Sequence, residues 1–291
     1  MKHRDPLSLF LRGAVWLSAI LTAFVVITLI GYILIKGIPA LNKDLFAWEY
    51  TSENGSLMSS LINTVIMVVM TLVIAAPVGV GSAIYLVEYA KRGNKLVKII
   101  RLTAETLSGI PSIVYGLFGY LFFVTAMKWG YSLISGAFTM AIMVLPLIMR
   151  TTEEALKAVP DSYREGSFGL GAGRLRTVFR IILPSATPGI LAGIILAIGR
   201  IVGETAALMY TAGTVAAVPR WKWTGHPLRD FITPLFSSGS TLSVHMYRMS
   251  SEGLHIDTAY GTAVVLLAIV IGINALSSFT AKRLMKVSGG N

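Results

Sequence analysis

The sequence predicts an all-α polytopic membrane protein with six transmembrane helices. Three observations carry that expectation. Of 291 residues, 54% are hydrophobic and only 13% charged, against about 25% charged in soluble globular domains. Mean hydropathy is +0.71. Residues 13–35, 54–87, 181–199, 205–219 and 258–281 carry no charge, and 106–149 carries only Lys128. About 20 apolar residues cross a bilayer core as a helix, so a soluble enzyme is excluded. The chain has no cysteine, which also excludes disulfide frameworks, cysteine nucleophiles and thiolate metal sites.

The first apolar run lies between Arg12 and Lys36 and is 23 residues long, about 34 Å as a helix. No small-residue cleavage pattern follows it, so 13–36 reads as a retained anchor. The second span covers 61–88. The 106–149 stretch is too long for one helix, and Lys128-Trp129-Gly130 at its middle has the composition of an interfacial turn. It reads as a hairpin of spans 107–127 and 131–150. The 181–219 stretch is interrupted only by Arg200 and Glu204, with no turn signal beside them, and reads as one helix over 182–212. The last span covers 258–281. Pro77, Gly109-Ile110-Pro111 and Pro146 fall inside or at the edges of these spans and predict a bundle that bends.

Lysines and arginines alternate strongly between the two sides of this layout. One side holds 17, from the N-terminus, the 91–101 run, the 150–180 segment and the C-terminus; the other holds seven. The positive-inside rule places both termini in the cytoplasm. The net charge of +11 is therefore a topology signal rather than a nucleic-acid footprint. Two connections, 151–180 inside and 213–257 outside, are too long for simple turns, and such loops are usually functional or disordered. The outer one is expected to lie partly in the interface.

The inner loop carries the most specific pattern: Glu165-Gly166-Ser167, Gly171 four residues after Ser167, then Ile181, Leu183 and Pro184. Small residues let a helix approach a partner closely, Gly171 permits a sharp turn, and Pro184 suits the start of the next helix. The nearby Gly169-Leu170-Gly171-Ala172-Gly173 lacks nucleotide-binding spacing, and no G-x-x-x-x-G-K-[ST] occurs, so the chain is not expected to hydrolyse ATP.

A second constellation, Gly199-Arg200-Ile201-Val202-Gly203-Glu204-Thr205, falls in the fifth span. Arg200 and Glu204 are four apart and share a helix face, and Gly199 and Gly203 form a small-residue face for close helix packing. A central arginine costs about 2.5–3.5 kcal/mol on insertion scales, so it faces a partner or a water-filled cavity. Two readings stand on physics alone. Arg200 is an anion site held by Glu204 when empty, since guanidinium matches a tetrahedral oxyanion bidentately; or the two form a structural ion pair.

These motifs carry a resemblance. The inner-loop spacing E-G-S-x3-G-x9-I-x-L-P resembles the EAA loop of binding-protein-dependent ABC-importer permeases, with Gly166 and Ser167 where alanines are usual. Gly199 to Thr205 and the segment from Leu107 to Gly116 are similar to both permeases of the phosphate-specific transport (Pst) system, and Tyr247-Arg248-Met249-Ser250-Ser251-Glu252-Gly253 is more similar to its A-type than to its C-type. The resemblance implies a type I ABC-importer permease fold. It implies an N-terminal cytoplasmic segment 1–12, a first helix and outer loop over 13–60, a permease core over 61–283 with the loop 165–184, and a cytoplasmic tail 284–291. It further implies that Glu165, Gly166, Ser167, Gly171, Ile181, Leu183 and Pro184 couple to an ATPase, and that Arg200, Glu204 and Thr205 line a phosphate path. The partners implied are a C-type permease, two copies of an ATP-binding subunit that uses ATP and Mg, and an extracytoplasmic phosphate-binding protein. No cofactor is expected on this chain. Membrane lipids surround it in a prokaryotic plasma (inner) membrane. Arg200 does not discriminate phosphate from sulfate or molybdate. A passive channel leaves the loop motif unexplained, and an intramembrane hydrolase lacks a catalytic arrangement, since no aspartate falls within a span.

Remaining features have plain readings. His3, His226, His245 and His255 show no metal-ligand spacing and are expected at the surface. Trp221-Lys222-Trp223 reads as an interfacial anchor. The basic 91–101 run admits acidic lipid headgroups, although topology alone explains it. Met67, Met70, Met140 and Met143 are expected to pack or face lipid.

Overall fold

The computed structural model describes residues 6–287 apart from positions 52, 92, 222 and 254. Lys2, His3, Arg4, Arg92, Lys222 and the end of the tail, 288–291, lie outside the described residues, as do the side chains of Lys282, Arg283 and Lys286. Among the described residues every regular element is helical. In order these are α1 (Pro6–Gly37), α2 (Met58–Ile84), α3 (Lys95–Ser108), α4 (Ser112–Gly119), α5 (Leu133–Lys157) and α6 (Asp161–Gly169). They continue with α7 (Arg174–Thr177), α8 (Leu183–Gly203), α9 (Ala206–Thr211), α10 (Pro227–Ile232), α11 (Leu242–Glu252) and α12 (Ile256–Val287). Wider π-helical turns extend α2 over Tyr85–Tyr89 and α4 over Tyr120–Ala126, and join α7 to α8 over Val178–Ile182.

Five helices are long and apolar enough to cross a bilayer: Leu7–Gly37, Met58–Tyr89, Leu133–Lys157, Arg174–Gly203 and Ile256–Leu276. A bent pair, Lys95–Ser108 and Ser112–Ala126, whose directions differ by 103°, is long and apolar enough only when taken together, as a broken span or a re-entrant loop. The bend falls at Gly109-Ile110-Pro111, where the sequence predicts one, and the third span expected over 107–127 begins beyond it at Ser112. Pro111 has no N–H to continue the ladder, and its ring pushes Ile110 out of the helical region; Pro111 itself is extended at φ −59°, ψ 143°. The hairpin turn falls where the sequence places it. Lys128 and Gly130 adopt left-handed backbone at φ 59° and 67°, and Trp129 stacks on Phe123 with ring centroids 5.3 Å apart.

The core forms around α5. Two thirds of its most apolar window is buried (67%), whereas none of α1's is, so α1 stands at the periphery against α12. Met67 and Ala75 of α2, Met140, Met143 and Ile148 of α5 and Ala197 and Ile201 of α8 interlock in one apolar cluster. Close approach depends on missing side chains. A Cβ at Gly193 of α8 would collide with the Thr151 hydroxyl of α5, and one at Gly79 of α2 would stand 2.9 Å from Ile148. A second cluster, with Leu86, Val97, Leu156, Val178 and Ile182, ties α2, α3, α5 and the start of α8 together at the end that carries α6.

The segment 213–257 is more deeply embedded than expected. The Ser240 hydroxyl lies 2.8 Å from that of Ser60, the Asn63 amide donates to Ala217 O at 2.8 Å, and Leu242 N donates to Thr64 Oγ1 at 2.8 Å. A connection that runs back into a bundle must satisfy its own backbone groups, and the hydroxyls and amide of α2 supply part of that. Part of it still fits the interfacial expectation: Trp221, Trp223, Leu228 and Phe231 are exposed.

Candidate functional site

The inner loop folds as a short helix on a hinge. α6 starts after Pro160, with Asp161 in its first turn. It ends before Gly171, whose φ of +81° is the left-handed conformation that favours glycine. Ser167 is buried, its hydroxyl 2.8 Å from that of Thr177 on α7. Gly166 faces open space, and Glu165 is exposed. Ile181 and Leu183 are half-buried on the way into α8, which carries Pro184 in its first turn. Tyr163, Phe168, Leu170 and Leu175 stand exposed around the hinge, Leu170 at 91%.

One residue that the sequence did not single out anchors this helix. Arg164 sends Nη2 to Glu88 Oε1 at 2.8 Å and to Leu156 O at 2.9 Å, and Nη1 to Val159 O at 2.9 Å and Asp161 Oδ1 at 3.0 Å. Glu88 lies in the π-helical end of α2 and is 8% exposed; Arg164 is 16% exposed. The guanidinium fork thus fastens α6 to α2 and to the end of α5 at once. The hydrogen bonds to Glu88 hold the Arg164 pKa above its ordinary value. Residues 76 positions apart leave no periodic signal, and Arg164 entered the sequence reading only as one of many basic loop residues.

The fifth span is broken at the candidate anion site, which corrects the single helix expected over 182–212. α8 ends at Gly203; Glu204 is extended at φ −75°, ψ 125°, and the helix restarts at Ala206 as α9. Glu204 therefore does not share a helix face with Arg200. Its Oε1 accepts from Ala207 N at 3.0 Å, capping α9, while its carbonyl accepts from Ser243 Oγ at 2.6 Å. Each contact satisfies a backbone group exposed by the break. Thr205 sits at the junction, its carbonyl accepting from Met209 N at 2.9 Å. Gly199 and Gly203 have nothing within 4 Å of an added Cβ, so nothing among the described residues packs on the face they were expected to offer.

Arg200 instead lines a cleft of about 370 Å³ between α3, α5 and α8. Its wall holds four cations, Arg101, Arg150, Lys157 and Arg200, against three carboxylates, Glu105, Glu153 and Glu154. Glu153 binds Arg101 at 2.7 Å and Lys157 at 2.5 Å, and Glu154 binds Arg150 at 3.1 Å. Among the described residues Arg200 forms no ion pair with a carboxylate. Glu105 on the same wall also forms no ion pair among the described residues, so the cleft holds one cation and one carboxylate without an ionic partner; a half-buried guanidinium free of any ion pair is a place for a mobile anion. The structural ion pair with Glu204 is not formed.

The histidines divide. His226 is exposed and His255 half-buried, but His245 on α11 is buried, its Nε2 3.1 Å from Gly55 O. This corrects its surface assignment, because the segment it belongs to folds into the bundle. Burial first, then the charge of Arg248, lowers its pKa to about 4. Among the described residues no cluster of metal-ligating side chains occurs. Met67, Met140 and Met143 are buried core residues.

A bundle of membrane helices with a hinged helix at one end and an unpaired arginine in a polar cleft has the layout of a membrane transport subunit. Residues 75–286 match the family described as binding-protein-dependent transport system inner membrane component, and the chain belongs to it. It is 35% identical to the probable ABC transporter permease protein YqgI of Bacillus subtilis (strain 168), over 89% of this chain and 90% of that protein. It is 32% identical to the phosphate transport system permease protein PstA 2 of Mycobacterium tuberculosis (strain CDC 1551 / Oshkosh), over 92% and 88%. With PstA of Pasteurella multocida (strain Pm70) it shares 36%, over 79% and 83%. The fold resembles a bacterial alginate ABC transporter (TM-score 0.60, 15% identity, 94% of this chain and 98% of that one) and the inward-facing MetNI methionine transporter (0.57, 18%, 78% and 94%). The chain is thus an ABC-importer permease with the all-helical fold expected of one.

Proposed function

We propose that this chain is one of two permease subunits of an ATP-driven importer of inorganic phosphate, in the role of the A-type subunit. The observation that carries the anion reading is Arg200, a cation in no ion pair among the described residues, in a cleft whose other cations are all paired and whose one unpaired carboxylate is Glu105. Relatives at 32–36% identity named as phosphate transport permeases favour phosphate among the tetrahedral oxyanions. The partners are a C-type permease, two copies of an ATP-binding subunit that uses ATP and Mg, and an extracytoplasmic phosphate-binding protein. The excess of basic residues on one side favours a prokaryotic plasma membrane placement with both termini cytoplasmic.

The chain's own residues suggest how force passes through it. Closure of the ATPase pair displaces α6, with Glu165, Gly166 and the exposed Phe168 and Leu170 on its docking side. Arg164 transmits that movement to α2 through Glu88, and Ser167 transmits it to α7 and α8 through Thr177. α8 carries Arg200 at its far end. Moving α8 against α5 opens or closes the cleft around Arg200, and the break at Glu204-Thr205 lets α8 move without dragging α9.

The test is labelled phosphate uptake by the reconstituted complex, wild type against Arg200→Gln at equal assembly, with ATP hydrolysis followed in parallel. Lost uptake with intact assembly and hydrolysis is expected. Unchanged uptake would remove Arg200 from the path. Competition of wild-type uptake by sulfate and molybdate is expected to be weak; equal competition would replace phosphate with a broader oxyanion class.

A further inference from the structure

We infer that α3 and the cavity beside it form a binding site for an anionic phospholipid, with the helix lying flat in the membrane interface at the end of the bundle that carries α6. The 103° bend before α4 allows this orientation, because α3 and the Ser112–Ala126 segment point in nearly perpendicular directions and only one of them can follow the membrane normal. α3 is amphipathic in three sectors. Val97, Ile100 and Ala104 pack onto the cluster that joins α2, α5 and α8. Leu96, Ile99 and Leu102 project outward, 54%, 59% and 61% exposed, and nothing among the described residues covers them. Lys95, Lys98, Arg101 and Glu105 form the polar side.

Apolar residues on one flank and lysines on the other are what a helix needs to sit between acyl chains and headgroups. Asn94 starts α3 at a defined point, its side chain accepting from Leu96 N at 2.9 Å, so the lysines that follow have fixed register.

The polar side borders a cavity of about 700 Å³ between α3 and the end of α2. Lys91, Lys95, Lys98 and Lys157 line it with Arg101, and Glu105 is its only carboxylate; Leu86 and Val87 form an apolar floor. Arg101 and Lys157 are held by Glu153, but Lys91, Lys95 and Lys98 form no ion pair among the described residues. Three unpaired ammonium groups over an apolar floor match a phosphodiester headgroup with its acyl chains beneath. A zwitterionic headgroup brings its own cation and fits the same surface less well. Because Arg101 also contacts Glu153 on the wall of the Arg200 cleft, occupation of the lipid site would brace one side of that cleft. The lipid site does not depend on which anion is transported.

The experiment reads lipid rather than transport. The purified complex is offered phosphatidylglycerol or phosphatidylcholine of the same acyl composition, and retained lipid is counted by native mass spectrometry, for wild type and for Lys91→Gln/Lys95→Gln/Lys98→Gln. Wild type is expected to retain the anionic lipid preferentially, and the variant to lose about tenfold or more of that preference, since it removes the three lysines that attract an anionic headgroup. Equal preference in both proteins overturns the site. Displacement of the lipid by millimolar inorganic phosphate also overturns it, as a site for the free ion. A nitroxide at Ile99→Cys, the single cysteine this chain would then have, supplies a second reading in nanodiscs. Greater collision with oxygen than with a water-soluble nickel chelate supports burial in the interface. The reverse, or shielding of the label by the ATPase subunit, overturns it.

Discussion

Arg164 Nη2 lies 2.8 Å from Glu88 Oε1, and this pair joins the hinged helix α6 to the end of α2. Both partners are mostly buried, at 16% and 8% exposed, so the loss of Arg164 leaves Glu88 buried without its counter-charge. Breaking such a pair costs about 3–5 kcal/mol. Arg164→Ala is expected to lower the melting temperature of the purified complex strongly and to leave α6 loosely held. Arg164→Lys is expected to recover little, because a single ammonium cannot reach Glu88 and two carbonyls with a planar fork. Full recovery by lysine would reduce the contact to charge alone.

The two glycines of the loop should respond in opposite ways. Gly171 is held at φ +81°, where a side chain costs about 1–2 kcal/mol, so Gly171→Val is expected to reshape the turn between α6 and α7 and weaken co-purification with the ATPase subunit. Gly166 lies within α6 and faces open space. Gly166→Ala should be neutral or slightly stabilising, as alanine is the better helix former by about 1 kcal/mol. Melting curves and pull-down yield measure both.

Glu204 acts on the backbone in this conformation rather than on Arg200. Its Oε1 accepts from Ala207 N at 3.0 Å, a role glutamine can also fill. Glu204→Gln is expected to keep wild-type stability, and Glu204→Ala to lose about 1 kcal/mol. Uptake recorded on the same two proteins separates cap from charge: a glutamine variant as damaged as alanine would mean that the carboxylate meets Arg200 or the substrate later in the cycle.

His245 predicts a pH dependence. Its folded pKa of about 4 lies below the ordinary 6.5, with burial as the main cause. Between those values the unfolded chain takes up a proton that the folded chain refuses. Stability is then fully present above about pH 6.5 and falls as pH drops towards 4, by about 3 kcal/mol in all. Melting curves of His245→Gln should lose much of the slope across this window; an unchanged slope would place its origin in other groups.

The sequence announced what rests on local chemistry. Apolar runs located the spans, Lys128-Trp129-Gly130 located the hairpin turn, and the loop spacing located a helix that ends at a left-handed glycine. It was silent where distant residues meet. Glu88 and Arg164 are related only by the fold. The break after Gly203 carried no proline, and the contacts that satisfy it come from Ser243 and from Glu204 itself. Arg200 stands in the sequence as an arginine in need of a reason, while pairing it with Glu204 from the four-residue spacing assumes an unbroken helix, and the helix breaks after Gly203. His245 was misplaced for a related reason: a polar connecting segment looks like surface until its backbone and side chains are seen bonded to α2 and to Gly55.

Glycines of α8 separate packing within the chain from packing against another subunit. Gly193 meets the Thr151 hydroxyl so closely that an added Cβ has no room, whereas Gly199 and Gly203 have nothing within 4 Å. Gly193→Val should therefore force α8 away from α5 and cost about 1–3 kcal/mol or more, as overpacked cores do. Gly203→Val meets no obstacle inside the chain, and its folding should be close to wild type. If the second permease packs on the Gly199 and Gly203 face, Gly203→Val will fold yet fail to co-purify with that subunit, because close helix contact in a membrane depends on small residues at the crossing. Normal assembly of Gly203→Val would assign that face to lipid and leave the pairing of the two permeases to other helices.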